Sequence, residues 1–204
     1  MKITTTLFVA ALFASLVVLP SCSDSTTEPP PDPTDTTTFA FSNVQTDSVV
    51  KWLYISLDSM KVADLGSSNW DVRMPYIYPD GRTRSIPVQL NSGTNGPGTT
   101  TGAVVSSRFE SLAAMPAGTV LRSDDTANPV VSTALSGGPT NTMFVYDAPT
   151  RTIRCSPDRT LIVKTGSGKL FKFAVTSLYK DAVSNPTMMT PLGFYHFRIA
   201  RLPQ

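Results

Sequence analysis

From Trp52 to Leu57 the chain reads Trp-Leu-Tyr-Ile-Ser-Leu, which puts Leu53, Ile55 and Leu57 on one face and Trp52, Tyr54 and Ser56 on the other. A period of two belongs to the pleated strand and to no helix, so this alternation is the tightest constraint on the fold. It returns over residues 72–74, 86–90, 104–109, 143–146, 161–165, 170–175 and 194–199. Between neighbouring runs, Pro79-Asp80-Gly81 and Gly166-Ser167-Gly168 supply residues that accept the positive φ of hairpin corners. No window carries a helical stripe; residues 106–114 come nearest, and Pro116 ends them. The expected fold is all-β and mostly antiparallel, with two packed sheets. Residues 39–204 are enough chain for one domain with a real core.

What precedes that domain is of a different kind. Lys2 is the only charge before an apolar run over residues 7–19, which leads into Leu19-Pro20-Ser21-Cys22. A basic start, a run shorter than the roughly 20 apolar residues of a membrane span and small residues at its end describe a signal peptide. The Leu-Pro-Ser-Cys ending resembles a bacterial lipobox, which implies cleavage before Cys22 and diacylation of its thiol. Acyl chains that bury CH₂ groups at about 0.8 kcal/mol each would hold the chain on a membrane without a spanning helix. Residues 23–38, SDSTTEPPPDPTDTTT, hold no large apolar side chain and cannot offset their ordering entropy; the triple proline favours extended polyproline II. The expected organisation is a signal peptide over 1–21, a lipid-anchored flexible linker over 22–38 and a β domain over 39–204. The expected place is the cell envelope, lipid-anchored to the outer membrane, either periplasmic or surface-exposed.

Charge and residue inventory exclude several functions. The formal charge of +2 comes without a basic run, whereas nucleic-acid binding needs a clustered basic face. With Cys22 committed to lipid, Cys155 has no intramolecular partner, which in an exported chain points to burial before an intermolecular bridge or a reactive site. The sole histidine, His196, sits inside the predicted final strand, exposed or hydrogen-bonded in place, and no nucleophile-elbow pattern accompanies it. One free Cys and one His fall short of a zinc site. Adjacent Asp124 and Asp125 read as solvated loop carboxylates rather than a catalytic dyad. Binding, not catalysis, is what remains.

Residues 67–104 carry the most specific pattern. Trp70-Asp71 opens one predicted strand, with Trp70 expected to pack between the sheets, and a second strand empties at Asn91 into a Gly/Thr/Asn loop. Loops of that length inside a compact domain are usually functional or mobile, so the stretch points at a surface. Taken together, Trp52/Tyr54, Trp70/Asp71, and Asn91/Gly93 followed by Gly96, Gly98 and Gly102 resemble the hallmark of the HmuY family, the haem-binding lipoproteins of Bacteroidetes-type bacteria. The resemblance continues through TLIVKTGSGKLFKFAV and the closing GFYHFRIA. It implies a β-built haem pocket near one end of the fold and capture of haem, free or from a haem-carrying protein. It further implies delivery to an outer-membrane haem transporter.

A haem pocket takes apolar walls, a partner for each propionate and one or two axial ligands from His, Met, Cys or Tyr. The resemblance implies one ligand close to the hairpin after the 143–146 strand, a position that falls on residues 143–147, where Met143 and Tyr146 can coordinate iron. The other falls on residues 122–138, which hold no His, Met, Cys or Tyr. That departure from the family pattern leaves Met115, or Met188 and Met189, as substitutes. Thioethers fill apolar gaps more often than they bind metals, so Met143 also reads as core and Tyr146 as a structural aromatic. Met188 and Met189, within NPTMMTP, stand between ligand contact and partial exposure. The candidate haem set is Met143, Tyr146, Met188 and Met189, with Met143 and Tyr146 on the iron. The alternative is a lipid-anchored β domain that binds a protein or glycan through the 91–101 loop, without haem.

Overall fold

The structure, a computed structural model, describes residues 36–46, 48–64, 67–78, 83, 85–135 and 140–204. The signal peptide, Cys22, most of the linker and the Pro79-Asp80-Gly81 turn lie outside the described residues. The strands are β1 Thr38–Val44, β2 Trp52–Ser56, β3 Lys61–Val62, β4 Val72–Pro75, β5 Gln89–Leu90, β6 Thr101–Val105, β7 Phe144–Asp147, β8 Thr152–Cys155, β9 Thr160–Lys164, β10 Leu170–Tyr179 and β11 Leu192–Leu202. They form a five-stranded sheet ordered β1-β11-β10-β9-β6, a four-stranded sheet ordered β3-β2-β4-β5 and the β7-β8 ribbon. Every pairing between these strands is antiparallel. The fold is all-β, and no helix of the described residues is long and apolar enough to cross a membrane.

Alternation decides which faces meet. Leu53 and Ile55 of β2 share the core with Val72 and Met74 of β4, and from the larger sheet come Phe171, Phe173, Phe197 and Ile199. The Tyr195 hydroxyl donates to the Pro75 carbonyl at 2.5 Å, tying β11 to the far end of β4 across the core. Burial pushes that phenol well above its ordinary pKa, so it remains a neutral donor. Gly166 and Ser167 turn the chain between β9 and β10 as the sequence predicts, with Gly168 at φ +87° donating its N–H to the Thr165 carbonyl at 2.9 Å.

Two elements differ from expectation. β1 was not visible as a strand, because both of its faces are largely open; it joins the sheet through pairing with β11 and through Phe41, stacked on Phe197 at 4.6 Å. Residues 106–114 are not helical but cross the outer face of the large sheet as an irregular strap. Phe109 covers Ala174 and Ala200, and Leu112 joins Ile162, Leu170 and Leu202. Lys172 Nζ fastens the strap by donating to the Phe109 and Leu112 carbonyls at 2.9 and 2.8 Å. The three-residue spacing of Phe109 and Leu112 mimics a helix face but serves two apolar dimples of a sheet. This cover also explains why Leu161, Ile162 and Val163 are all buried, with no alternation in β9.

Candidate functional site

The hallmark residues form a latch rather than an open surface. Asn91, just past β5, donates through Nδ2 to the Trp70 carbonyl at 2.8 Å and the Ser68 carbonyl at 3.2 Å, and its Oδ1 accepts from the Gly98 N–H at 2.9 Å. Asp71 accepts from the Leu57 N–H at 2.8 Å and from the Thr100 hydroxyl at 3.2 Å. Burial pushes the Asp71 carboxyl above its ordinary pKa, and the nearby charge of Asp58 adds to this, against hydrogen bonds that favour the ionised form. The glycines permit close approach. A Cβ on Gly96 would lie 2.3 Å from Asn91 Oδ1 and 2.9 Å from the Trp70 ring, and Gly93, at φ +56°, would meet the Asp124 carbonyl at 2.1 Å.

Asp124 corrects the expectation of a solvated pair. It is 0% exposed, accepting from the Leu90 and Val130 N–H groups at 2.9 and 2.7 Å and from Asn95 Nδ2 at 2.8 Å. Asp125, one residue on, caps the Ala127 N–H in a local turn at 2.8 Å. The 91–101 loop is thus pinned from beneath by Asn91, Asn95 and Thr100, all buried, while Thr94, Pro97 and Thr99 face solvent.

Trp70 is also placed differently from expectation. It is 7% exposed, yet it lies outside the inter-sheet core, edge-on to Tyr54 at 5.4 Å and under Gly96. The Arg73 guanidinium stands 4.4 Å from the Trp52 ring and 5.0 Å from the Trp70 ring, with Nε donating to Gln89 Oε1 at 2.8 Å. The outer face of the small sheet is therefore sealed by an aromatic-guanidinium stack. A cleft of about 320 Å³ beside the loop, bounded by Asp58, Trp70, Asn91, Thr99 and Ser167, is mostly polar.

The predicted iron ligands lie elsewhere and are not equivalent. Met143 is 2% exposed, enclosed in the core with Phe144 and Ile153. Tyr146, on β7, is 41% exposed. Met188 and Met189, 62% and 83% exposed, sit on a tight turn in which the Thr187 N–H donates to Thr190 Oγ1 at 2.8 Å and the Thr190 N–H to the Thr187 carbonyl at 3.0 Å. Met115 is exposed on the strap after β6. His196 is buried, with Nε2 3.0 Å from the Tyr179 carbonyl, an atom that only accepts, so the ring donates there. Burial alone pushes the Cys155 thiol up to about 12, far from a reactive thiolate.

Two clefts open on the β8–β10 side. One, of about 350 Å³, is walled by Ile153, Leu178, Tyr179, Val183 and Pro186. The other, of about 230 Å³, is bounded by Arg108, Glu110, Arg159 and Arg198. Sequence reasoning missed both, since no local pattern marks Arg108, Arg159 or Arg198. In donor chemistry, Tyr146, Met188 and Met189 suit an iron porphyrin, being iron-competent and open to solvent. Met143 would reach such a ligand only if the core opened.

The described residues thus form an antiparallel two-sheet domain with a sealed hallmark latch and open clefts at its β8 edge. Among solved structures it is similar in fold to the apo HmuY analog of Tannerella forsythia, at TM-score 0.48 and 14% identity, covering 84% of this chain and 100% of its own. A Bacteroides fragilis protein assigned as a lipoprotein follows at TM-score 0.43 and 15% identity, covering 82% of this chain and 90% of its own. A Bacteroides vulgatus protein assigned as HmuY-like and haem-binding stands at 0.43 and 17%, covering 82% and 93%. No family model and no curated protein matches the chain. The likeness is one of fold, so residue roles rest on this chain alone.

Proposed function

We propose that this is a lipid-anchored, HmuY-like haem-binding protein that captures haem at the cell envelope for uptake. The observation that carries the reading is the pair of exposed thioethers, Met188 and Met189, on a hydrogen-bonded turn in the connection that also supplies Val183 and Pro186 to the apolar cleft. Exposed methionines held in place gain nothing from packing, whereas they suit a soft metal partner. Tyr146 supplies a phenol from β7. The group would bring a redox-active iron, with methionine favouring the ferrous and tyrosinate the ferric state.

Haemin titration followed by visible absorption tests this, with and without reductant. The wild type should shift the Soret band, and Tyr146→Phe or the Met188→Ala/Met189→Ala double variant should weaken binding by at least about tenfold, the equivalent of about 1.4 kcal/mol. Met143→Ala should instead lower stability by about 2–5 kcal/mol, with binding retained where the domain is folded. No Soret shift in wild type under either condition would overturn the haem reading. The polar cleft beside the 91–101 loop, with Asp58, Thr99 and Ser167 on its wall, then favours a glycan ligand.

The anchor has its own test. Cys22→Ala should release the protein from membranes and abolish labelling by a palmitate analogue, without moving the denaturation midpoint, because residues 23–38 carry no core side chain. An unlabelled wild-type chain would end the lipoprotein reading.

A further inference from the structure

The two clefts on the β8–β10 side meet, since Cys155, Pro157 and Thr176 line both. The meeting point is where β10 departs from regular pairing with β11, its register shifting between Val175 and Ser177 and again before Tyr179. Such a bulge turns a strand's side chains away from the regular sheet face. On one side of it the walls are mostly apolar, with Leu178, Val183 and Pro186 beside Arg154, Ser177 and Ser184; on the other stand Arg108, Arg159 and Arg198 around Glu110. The groove therefore has a greasy end and a cationic end.

The cationic end is held in place. The Arg198 guanidinium lies over the Phe109 ring at 4.7 Å, and its Nη2 donates to Glu110 Oε1 at 2.7 Å. Its Nε is shielded from solvent and has no acceptor among the described residues. A buried donor without a partner is costly, and a guanidinium edge with an unmet N–H matches a carboxylate. Arg159 pairs with Asp158 at 3.0 Å, a carboxylate that is itself largely in solvent. Among the described residues, three arginines against Glu110 in the cleft and Asp158 beside it leave the site positive, and the Ser156 hydroxyl adds a polar group.

We infer that this groove takes an apolar ligand through its carboxylates, with the hydrophobic body against Leu178, Val183 and Pro186 and the carboxylate end at Arg108, Arg159 and Arg198. The inference deepens the proposed function by assigning the end of the ligand that iron does not hold, and it rests on that reading only for the identity of the apolar body. The same chemistry is offered by a porphyrin with its propionates and by a fatty acid.

Metal-free protoporphyrin IX separates this site from iron coordination. Its fluorescence should report binding to wild type, and the Arg108→Gln/Arg159→Gln double variant should weaken it by at least tenfold. Both side chains are partly exposed, so that variant should keep its denaturation midpoint; Arg198→Lys, which keeps the charge but loses the planar fork, is the second probe and should also weaken binding. Protoporphyrin dimethyl ester should bind wild type no better than the double variant binds the free acid. A fluorescent long-chain fatty acid that competes with protoporphyrin and shows the same arginine dependence identifies a lipid as the source and upholds the site. Protoporphyrin and fatty acid both failing to bind wild type, or binding equally to wild type and the double variant, overturns it. A haemin Soret shift that persists in such a case leaves the haem reading standing, whereas arginine-dependent porphyrin binding with no Soret shift removes the iron and keeps the site.

Discussion

Asp124→Ala should cost about 3–5 kcal/mol, a large share of the 5–15 kcal/mol that holds a typical domain together. Its carboxylate accepts from two backbone N–H groups, those of Leu90 and Val130, and from Asn95 Nδ2. Alanine leaves these donors facing one another in a site closed to solvent, and each buried donor without a partner costs about 1–3 kcal/mol. Asp124→Asn should fall between, because its single carbonyl oxygen satisfies part of the set while its amide adds two more donors. Asp125→Ala should cost under about 1 kcal/mol, since it loses only an exposed local turn bond. Chemical denaturation with an unchanged m value is the measurement. An Asp124→Ala midpoint indistinguishable from that of Asp125→Ala would show that the latch does not contribute to stability.

Trp70→Ala should cost a similar amount, about 3–5 kcal/mol for a large buried aromatic, but with a different signature. Trp70 supports Gly96 from below and Arg73 from the side, and it leaves the inter-sheet core untouched. Its loss should therefore loosen the 91–101 loop ahead of the rest. Limited proteolysis should cut within that loop before global unfolding, whereas a core truncation such as Phe173→Ala should expose sites throughout. Gly96→Ala should reproduce the loop cleavage, because its Cβ would displace both Asn91 Oδ1 and the Trp70 ring. Uniform cleavage in Trp70→Ala would place the tryptophan in the main core after all.

Residues within a strand's length of one another decided much of this correctly. The alternation of Leu53, Ile55 and Leu57 against Trp52, Tyr54 and Ser56 is the same in the fold as in the sequence, with the first set in the core. The strap did not yield to the same logic. Phe109 and Leu112 are spaced as on a helix, but their partners lie 50 or more residues on, in β9, β10 and β11. β1 was invisible because an edge strand with two open faces has no apolar alternation to display.

The candidate site divides along the same line. Four residues of one chemistry, Met115, Met143, Met188 and Met189, are indistinguishable by composition, yet the fold encloses one and exposes the other three. Asp124 and Asp125 are neighbours in an ordinary polar loop, and only the arrival of β5 and of Asn95 makes one of them a buried anchor. The arginine cleft draws its side chains from residues 108, 159 and 198, with no spacing to betray it.

By itself, then, the sequence determined the all-β class and the turn between β9 and β10. These follow from local periodicity and local backbone freedom, which neighbouring residues set. Which carboxylate is buried, which sulfur is open and which cations converge were decided only by tertiary structure. Burial and charge density depend on what distant strands bring to a position, and a pleated sheet brings together residues that the chain keeps far apart.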